Sequence, residues 1–210
     1  QILQKAGNIG SSTNLNTLCL ERSILAIGSS TGGTEVLKVI LKNLPNQFPP
    51  LLIVQHMAVE FTKEFAKLLA TTTGRMVKEA EQGEVLRPQT IYLAPGGRQM
   101  GVKSEGTMVK IEISDEGPIN KCRPSIDYLF HSLRSVKDRK IVAALLTGMG
   151  SDGARGLADL KSCGAYTLVQ DQETSAVYEI PKMAVEMGAA TEVVPVSEMA
   201  ARLCFGLSAG

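Results

Sequence analysis

ILAIGSSTGGTEVL, residues 24–37, carries a run of apolar residues straight into Gly28-Ser29-Ser30-Thr31-Gly32-Gly33 and then into a segment with helical apolar spacing at Val36, Leu37, Ile40, Leu41 and Leu44. A buried strand, a glycine-rich turn and an amphipathic helix in that order form the opening unit of an α/β sheet. Such a turn either cradles a phosphate or raises a reactive serine on a sharp bend.

The same texture repeats outward from this stretch. PLLIVQH (50–56), KIVAALLTG (140–148) and AYTLVQD (165–171) are further strands apolar on both faces. TKEFAKLLATTTG, PSIDYLFHSLRSV, DGARGLADLKSCG, IPKMAVEMG and VSEMAARLC have the spacing of helices. Strands that are apolar on both faces and alternate with helices predict an α/β, doubly wound, mostly parallel sheet with helices on both faces. TIYLAPGG (90–97) is a strand running into a turn, and residues 98–113 predict a small antiparallel hairpin turning around Ser104-Glu105-Gly106. Residues 1–20, rich in Asn, Ser, Thr and Gly, read as a linker remnant, and residues 21–210 as one catalytic domain.

Composition removes several function classes. Lys+Arg 22 against Asp+Glu 21 gives a net charge of +1, so no global field recruits nucleic acid or an anionic membrane. Aromatic residues are 4% of the chain and Trp is absent, which argues against base-stacking platforms. The four cysteines, Cys19, Cys122, Cys163 and Cys204, are far apart and form no CxxC pair, so a thiolate zinc site has no local scaffold. Cys163 and Cys204 read as core residues in helices. With no secretory h-region and no apolar run long enough to span a bilayer, the expected compartment is the cytoplasm. No metal or cofactor is expected.

Ligands of open parallel sheets bind beyond the carboxyl ends of the strands. Those ends carry Gly28–Gly33, Gln55-His56-Met57, the APGG turn, TGMGSDG (147–153) and Gln170-Asp171. A P-loop would need Gly-Lys-Ser/Thr, and a dinucleotide fingerprint would need G-x-G-x-x-G with an acidic residue ending the second strand. Neither is present, so Gly28-x-Ser30-x-Gly32 is read as a nucleophile turn. A serine needs a base. His131 falls on the polar face of its helix with Asp127 and Arg134 and reads as a surface residue, whereas His56 ends a central strand on the Ser30 rim. A carboxylate must orient the imidazole. Asp152 and Asp171 both suit by rim placement, and Asp115 is a third candidate. Asp152 is favoured because Gly148-Met149-Gly150 offers amides beside it, although it also reads as a helix cap.

IGSSTGGTEVL, VQHM, IYLAPGG, CRPSIDYLF and LLTGMGSDGARGL, in that order from residue 23 to the C-terminus, resemble the catalytic domain of the bacterial chemotaxis protein-glutamate methylesterases, the CheB type. The resemblance implies a triad of Ser30, His56 and Asp152, with Thr31 beside the nucleophile and Met149 giving a backbone amide to the oxyanion. It implies hydrolysis of glutamate methyl esters on the cytoplasmic helical bundle of methyl-accepting chemoreceptors, with deamidation of receptor glutamines as a related activity. Arg123 is a candidate for substrate or receptor contact, or else a helix-start residue. The family pattern also implies a phosphorylatable receiver domain of the same full-length protein as a partner, joined through the linker. Three positions depart from the pattern: Ser29 for alanine, Gln99 for histidine, and VYEIP (177–181) where a glycine usually precedes the apolar-Pro pair.

Overall fold

The structure is a computed structural model that describes residues 17–208. In chain order its elements are α1 (Thr17–Glu21), β1 (Ser23–Ser29), α2 (Gly33–Asn43), β2 (Leu51–Gln55), α3 (Val59–Thr73), β3 (Met76–Glu79), β4 (Thr90–Leu93), β5 (Gln99–Glu105), β6 (Met108–Ser114), α4 (Ile126–Leu133), β7 (Lys140–Leu145), α5 (Ala154–Ser162), β8 (Tyr166–Gln170), α6 (Glu179–Glu186), β9 (Glu192–Val194) and α7 (Val196–Gly206). The seven-stranded sheet runs β3-β4-β2-β1-β7-β8-β9 with every pair parallel. β5 and β6 form the expected antiparallel hairpin, closing from Glu105↔Met108 through Gly106-Thr107, slightly later than Ser104-Glu105-Gly106.

Period-2 alternation splits the core into two layers. Ile24, Ala26, Leu52, Val54, Ala143 and Leu145 face a cluster with Ile126, Leu129 and Phe130 of α4 and Leu157 of α5. Leu25, Ile27, Leu51, Ile53, Val142 and Ala144 face the other cluster, with Leu37 and Ile40 of α2, Leu69 of α3 and Leu203 of α7. Both faces are therefore covered, as continuous apolar strands require. Leu25 and Ile53 are 0% exposed, and truncating either to Ala would cost about 2–5 kcal/mol. The chain leaves β1 toward β2 and later returns to β7 on the other side of β1. That reversal opens a crevice at the carboxyl ends of β2, β1 and β7, where such sheets bind ligands.

Several local expectations differ. Thr17–Glu21 form a short helix across the end of the expected linker, with Leu20 packed inward at 3% exposure; residues 1–16 of that expected linker lie outside the described residues. The edge strands β3 and β9 were not expected, since pairing on one side alone leaves them short and only half apolar. Cys163 is exposed at the end of α5, where the chain turns away from the core. Asp127 is buried at 4% instead of sharing a solvated face with His131, because its carboxylate accepts the Gly156 N–H of α5 at 2.6 Å. No described helix is long and apolar enough to cross a membrane.

Candidate functional site

Ser30 follows the last residue of β1 and is held by its backbone. Its N–H donates to Thr147 O (3.0 Å), and its C=O accepts from Gly33 N–H (2.9 Å) and Gln55 Nε2 (2.8 Å). The bend is possible because Gly32 takes φ 83°, in the left-handed region open to glycine. Gly148 allows the β7 loop to lie against the serine: a Cβ there would fall 2.6 Å from Ser30 Cβ and 2.6 Å from Ile180 Cδ1. Ser29 and Gln55 are paired in register between β1 and β2, and His56 N–H donates to Ser29 O at 3.0 Å. One residue further on, Ser30 and His56 each follow the carboxyl end of one of these two neighbouring strands. Among the described residues Ser30 Oγ makes no hydrogen bond.

Asp152, 2% exposed, lies in the loop after β7. Its Oδ2 is 2.7 Å from His56 Nε2 and accepts the Ile126 N–H at 2.7 Å. Its Oδ1 accepts from Ser125 Oγ (2.7 Å), Asn120 Nδ2 (3.1 Å) and Asp127 N–H (3.3 Å). The carboxylate thus occupies the N-terminus of α4, where free amides and the helix dipole favour an anion. It does not cap its own following helix, where Gly153 takes the N-cap position. Burial works to raise the Asp152 pKa, but hydrogen bonds from His56, Ser125, Ile126 and Asn120 outweigh it and hold the carboxyl below its ordinary value.

The opposite ring nitrogen, His56 Nδ1, faces Cys122 Sγ at 3.8 Å. Burial, followed by the charges of Asp152 and Asp127, pushes the Cys122 thiol up to about 11, so it stays protonated near neutral pH. His56, Cys122 and Asp152 have ligand atoms within 4.8 Å of one another. Cys122 and Asp152 meet opposite nitrogens of one ring, however, an arrangement poorly suited to a single ion. With Nε2 engaged by a buried carboxylate, the imidazole can take a proton at Nδ1, and a neighbouring serine can act as a nucleophile.

The two other aspartates do not reach His56. Asp171 accepts from the N–H and hydroxyl of Thr174, closing its own turn, and Asp115 pairs with Arg98 at 2.7 Å. His131 is exposed and lies 3.2 Å from Asp159. Thr31 and Met149 are exposed on adjacent loops, and among the described residues neither backbone N–H is taken by a hydrogen bond. Both amides are aimed from behind. In a trans peptide the N–H points opposite to the C=O. The C=O of Ser30 is anchored by Gln55 and Gly33, and that of Gly148 by Ile180 N–H at 3.0 Å. Arg123 is exposed, next to Cys122, and its guanidinium lies on Asp115 O at 3.4 Å, so no contact places it against His56 or Asp152.

Sequence reasoning missed Ser125, Asn120 and Thr147. Ser125 was findable, since Pro-Ser before an apolar-spaced segment signals an N-cap, and its hydroxyl does accept the Tyr128 N–H. Thr147 Oγ1 lies 2.9 Å from Thr31 O and accepts Val177 N–H at 2.9 Å, joining the loops after β1, β7 and β8. No local pattern announces such a hub. Two of the departures from the family pattern are hydrogen-bonded: Ser29 Oγ donates to Gln55 Oε1 (2.6 Å), and Gln99 Oε1 accepts Ser125 N–H (2.8 Å).

Comparison with known proteins converges on one family. The family model described as CheB methylesterase matches residues 25–203. A protein-glutamate methylesterase/protein-glutamine glutaminase of Photorhabdus laumondii is 43% identical over 193 residues, covering 92% of this chain and 55% of that protein. The protein of the same description from Escherichia coli K12 is 42% identical over 193 residues, again 92% of this chain and 55% of the relative. The chain therefore spans about half the length of the curated relatives it matches. The crystal structure of the Thermotoga maritima CheB methylesterase catalytic domain superposes with a TM-score of 0.83 at 38% identity, covering 86% of this chain and 96% of that one.

Proposed function

The chain belongs to the CheB methylesterase family, and from that premise we propose that it hydrolyses methyl-esterified glutamate side chains on the cytoplasmic helical bundle of chemoreceptors, with deamidation of receptor glutamines as a second activity of the same site. The observation that carries this reading is the hydrogen bond of the buried Asp152 carboxylate to His56, which lies on the same rim of the sheet as Ser30.

Ser30 Oγ attacks the ester carbonyl while His56 Nδ1 takes the hydroxyl proton. Asp152, fixed by the N-terminus of α4, stabilises the imidazolium through Nε2–H. The oxyanion is received by the N–H groups of Thr31 and Met149. Collapse of the tetrahedral intermediate expels methanol, protonated by His56, and leaves an acyl-Ser30. Water, deprotonated by His56, then releases the glutamate and regenerates the serine. With glutamine the leaving group is ammonia, and the demand on His56 as an acid is greater.

Met57, Val59 and Phe61 follow His56 directly, and Val59 and Phe61 are 58% and 62% exposed. An apolar rim of this kind suits a protein substrate better than a free small ester, and it is a proposed contact for receptor or receiver domain. Arg123 is proposed to sit on the edge of that contact. The test is methanol release from methyl-esterified receptor membranes compared with hydrolysis of simple methyl esters. Preference for the receptor supports the reading, and efficient turnover of free methyl esters with inert receptor would replace it with a small-molecule esterase.

A further inference from the structure

We propose that Glu179 is a positioning residue for Met149, pinning the peptide that follows it so that its amide stays aimed at the reacting oxygen; the proposal rests on the acyl-transfer reading of this site. Glu179 opens α6 and belongs to VYEIP, a stretch that departs from the family pattern. Its Oε2 accepts the Gly150 N–H at 2.8 Å. The next residue, Ile180, donates its N–H to Gly148 O at 3.0 Å. The Gly148–Met149 and Met149–Gly150 peptides are thus both held from one turn of α6, and Met149 sits between the two fixed planes. Gly148 N–H adds a third tie, donating to Val177 O at 2.9 Å.

The glycines make this fixation necessary. Gly150 has φ 94°, and neither Gly148 nor Gly150 has a side chain to limit its backbone. Without the carboxylate the Met149–Gly150 peptide is held only from its N-terminal side. A preorganised donor stabilises an oxyanion because it need not reorganise as charge develops. Glu179 is exposed, so its replacement removes this hydrogen bond without opening the core.

Glu179→Ala and Glu179→Gln are compared with wild type for kcat and KM in methanol release from methylated receptor membranes, for thermal midpoint, and for Gly150 amide exchange by NMR. Glu179→Ala is expected to speed Gly150 exchange and lower kcat about three- to tenfold, below the roughly 10²–10³ lost when an oxyanion donor itself is removed. KM and the thermal midpoint stay unchanged. Glu179→Gln, whose Oε1 can accept the same N–H, restores kcat. An unchanged kcat in Glu179→Ala despite faster exchange, no rescue by Gln, or a loss that tracks the thermal midpoint overturns the proposal. Absence of methanol release by wild type would instead count against the methylesterase reading, with Gly150 exchange still reporting the contact.

Discussion

Asp152 holds His56 through Nε2, with 2.7 Å between Oδ2 and the ring nitrogen, which leaves Nδ1, with Cys122 Sγ at 3.8 Å, as the nitrogen that can take a proton. The carboxylate fixes the tautomer protonated at Nε2, since an ionised carboxylate can only accept. Asp152→Asn keeps the size of the group but can donate to Nε2 and select the wrong tautomer. Turnover is expected to fall about 10⁴-fold with the fold retained. His131→Ala, at an exposed position paired with Asp159, is expected to leave turnover unchanged. An Asp152→Asn enzyme within tenfold of wild type would remove Asp152 from the proposed mechanism.

The same carboxylate links stability to acid. Its folded pKa lies below the ordinary value of 3.8, so its ionised form is favoured in the folded state. That stabilisation is present above the ordinary value and is lost as pH falls through the depressed one. Wild type is therefore expected to lose stability in this acid window more steeply than Asp152→Asn, as measured by urea unfolding at stepped pH. Parallel curves for the two proteins would contradict the assignment.

Gly148→Ala tests the close approach of the β7 loop to Ser30, the proposed nucleophile. The added methyl would stand 2.6 Å from both Ser30 Cβ and Ile180 Cδ1, so both neighbours, or the Gly148 backbone itself, must shift. Overpacking of this kind costs about 1–3 kcal/mol. The variant is expected to melt several degrees lower and to lose turnover, since relieving the clash moves either the Ser30 side chain or the Gly148 backbone, whose peptide carries the Met149 amide. Unfolding and methanol-release assays together check both effects.

Thiol chemistry separates the cysteines. Only thiolates alkylate readily. Burial pushes the Cys204 thiol up to about 11, and burial with the neighbouring carboxylates does the same to Cys122. Cys163 is exposed. Limited iodoacetamide treatment near neutral pH is expected to label Cys163 first, with peptide mass spectrometry as the readout. Faster labelling of Cys122 would mean that His56 activates it as a thiolate.

Much of this architecture is legible in the sequence because its strands are buried on both faces. Runs such as SILAIG and PLLIVQH have no polar alternative, and the residue that ends each strand falls on the site rim by topology alone. Ser30 and His56 are visible for that reason. Asp152 is favoured over Asp171 by the Gly148-Met149-Gly150 turn beside it and by the resemblance to a family, but its actual holding at the N-terminus of α4 is a tertiary fact that no local pattern shows. The edge strands β3 and β9 were hidden because they are short and only half apolar, and the burial of Asp127 because its partner, Gly156, lies 29 residues away. The Glu179–Gly150 contact spans 29 residues, and nothing local encodes it.

The central claim is that Ser30 is the nucleophile of a methylesterase. It is tested most directly by methanol release from methyl-esterified chemoreceptor membranes, measured with wild type and with Ser30→Ala at equal concentration. Release by wild type, and none above background by a folded Ser30→Ala, is the predicted result. Release by Ser30→Ala at the wild-type rate would contradict it.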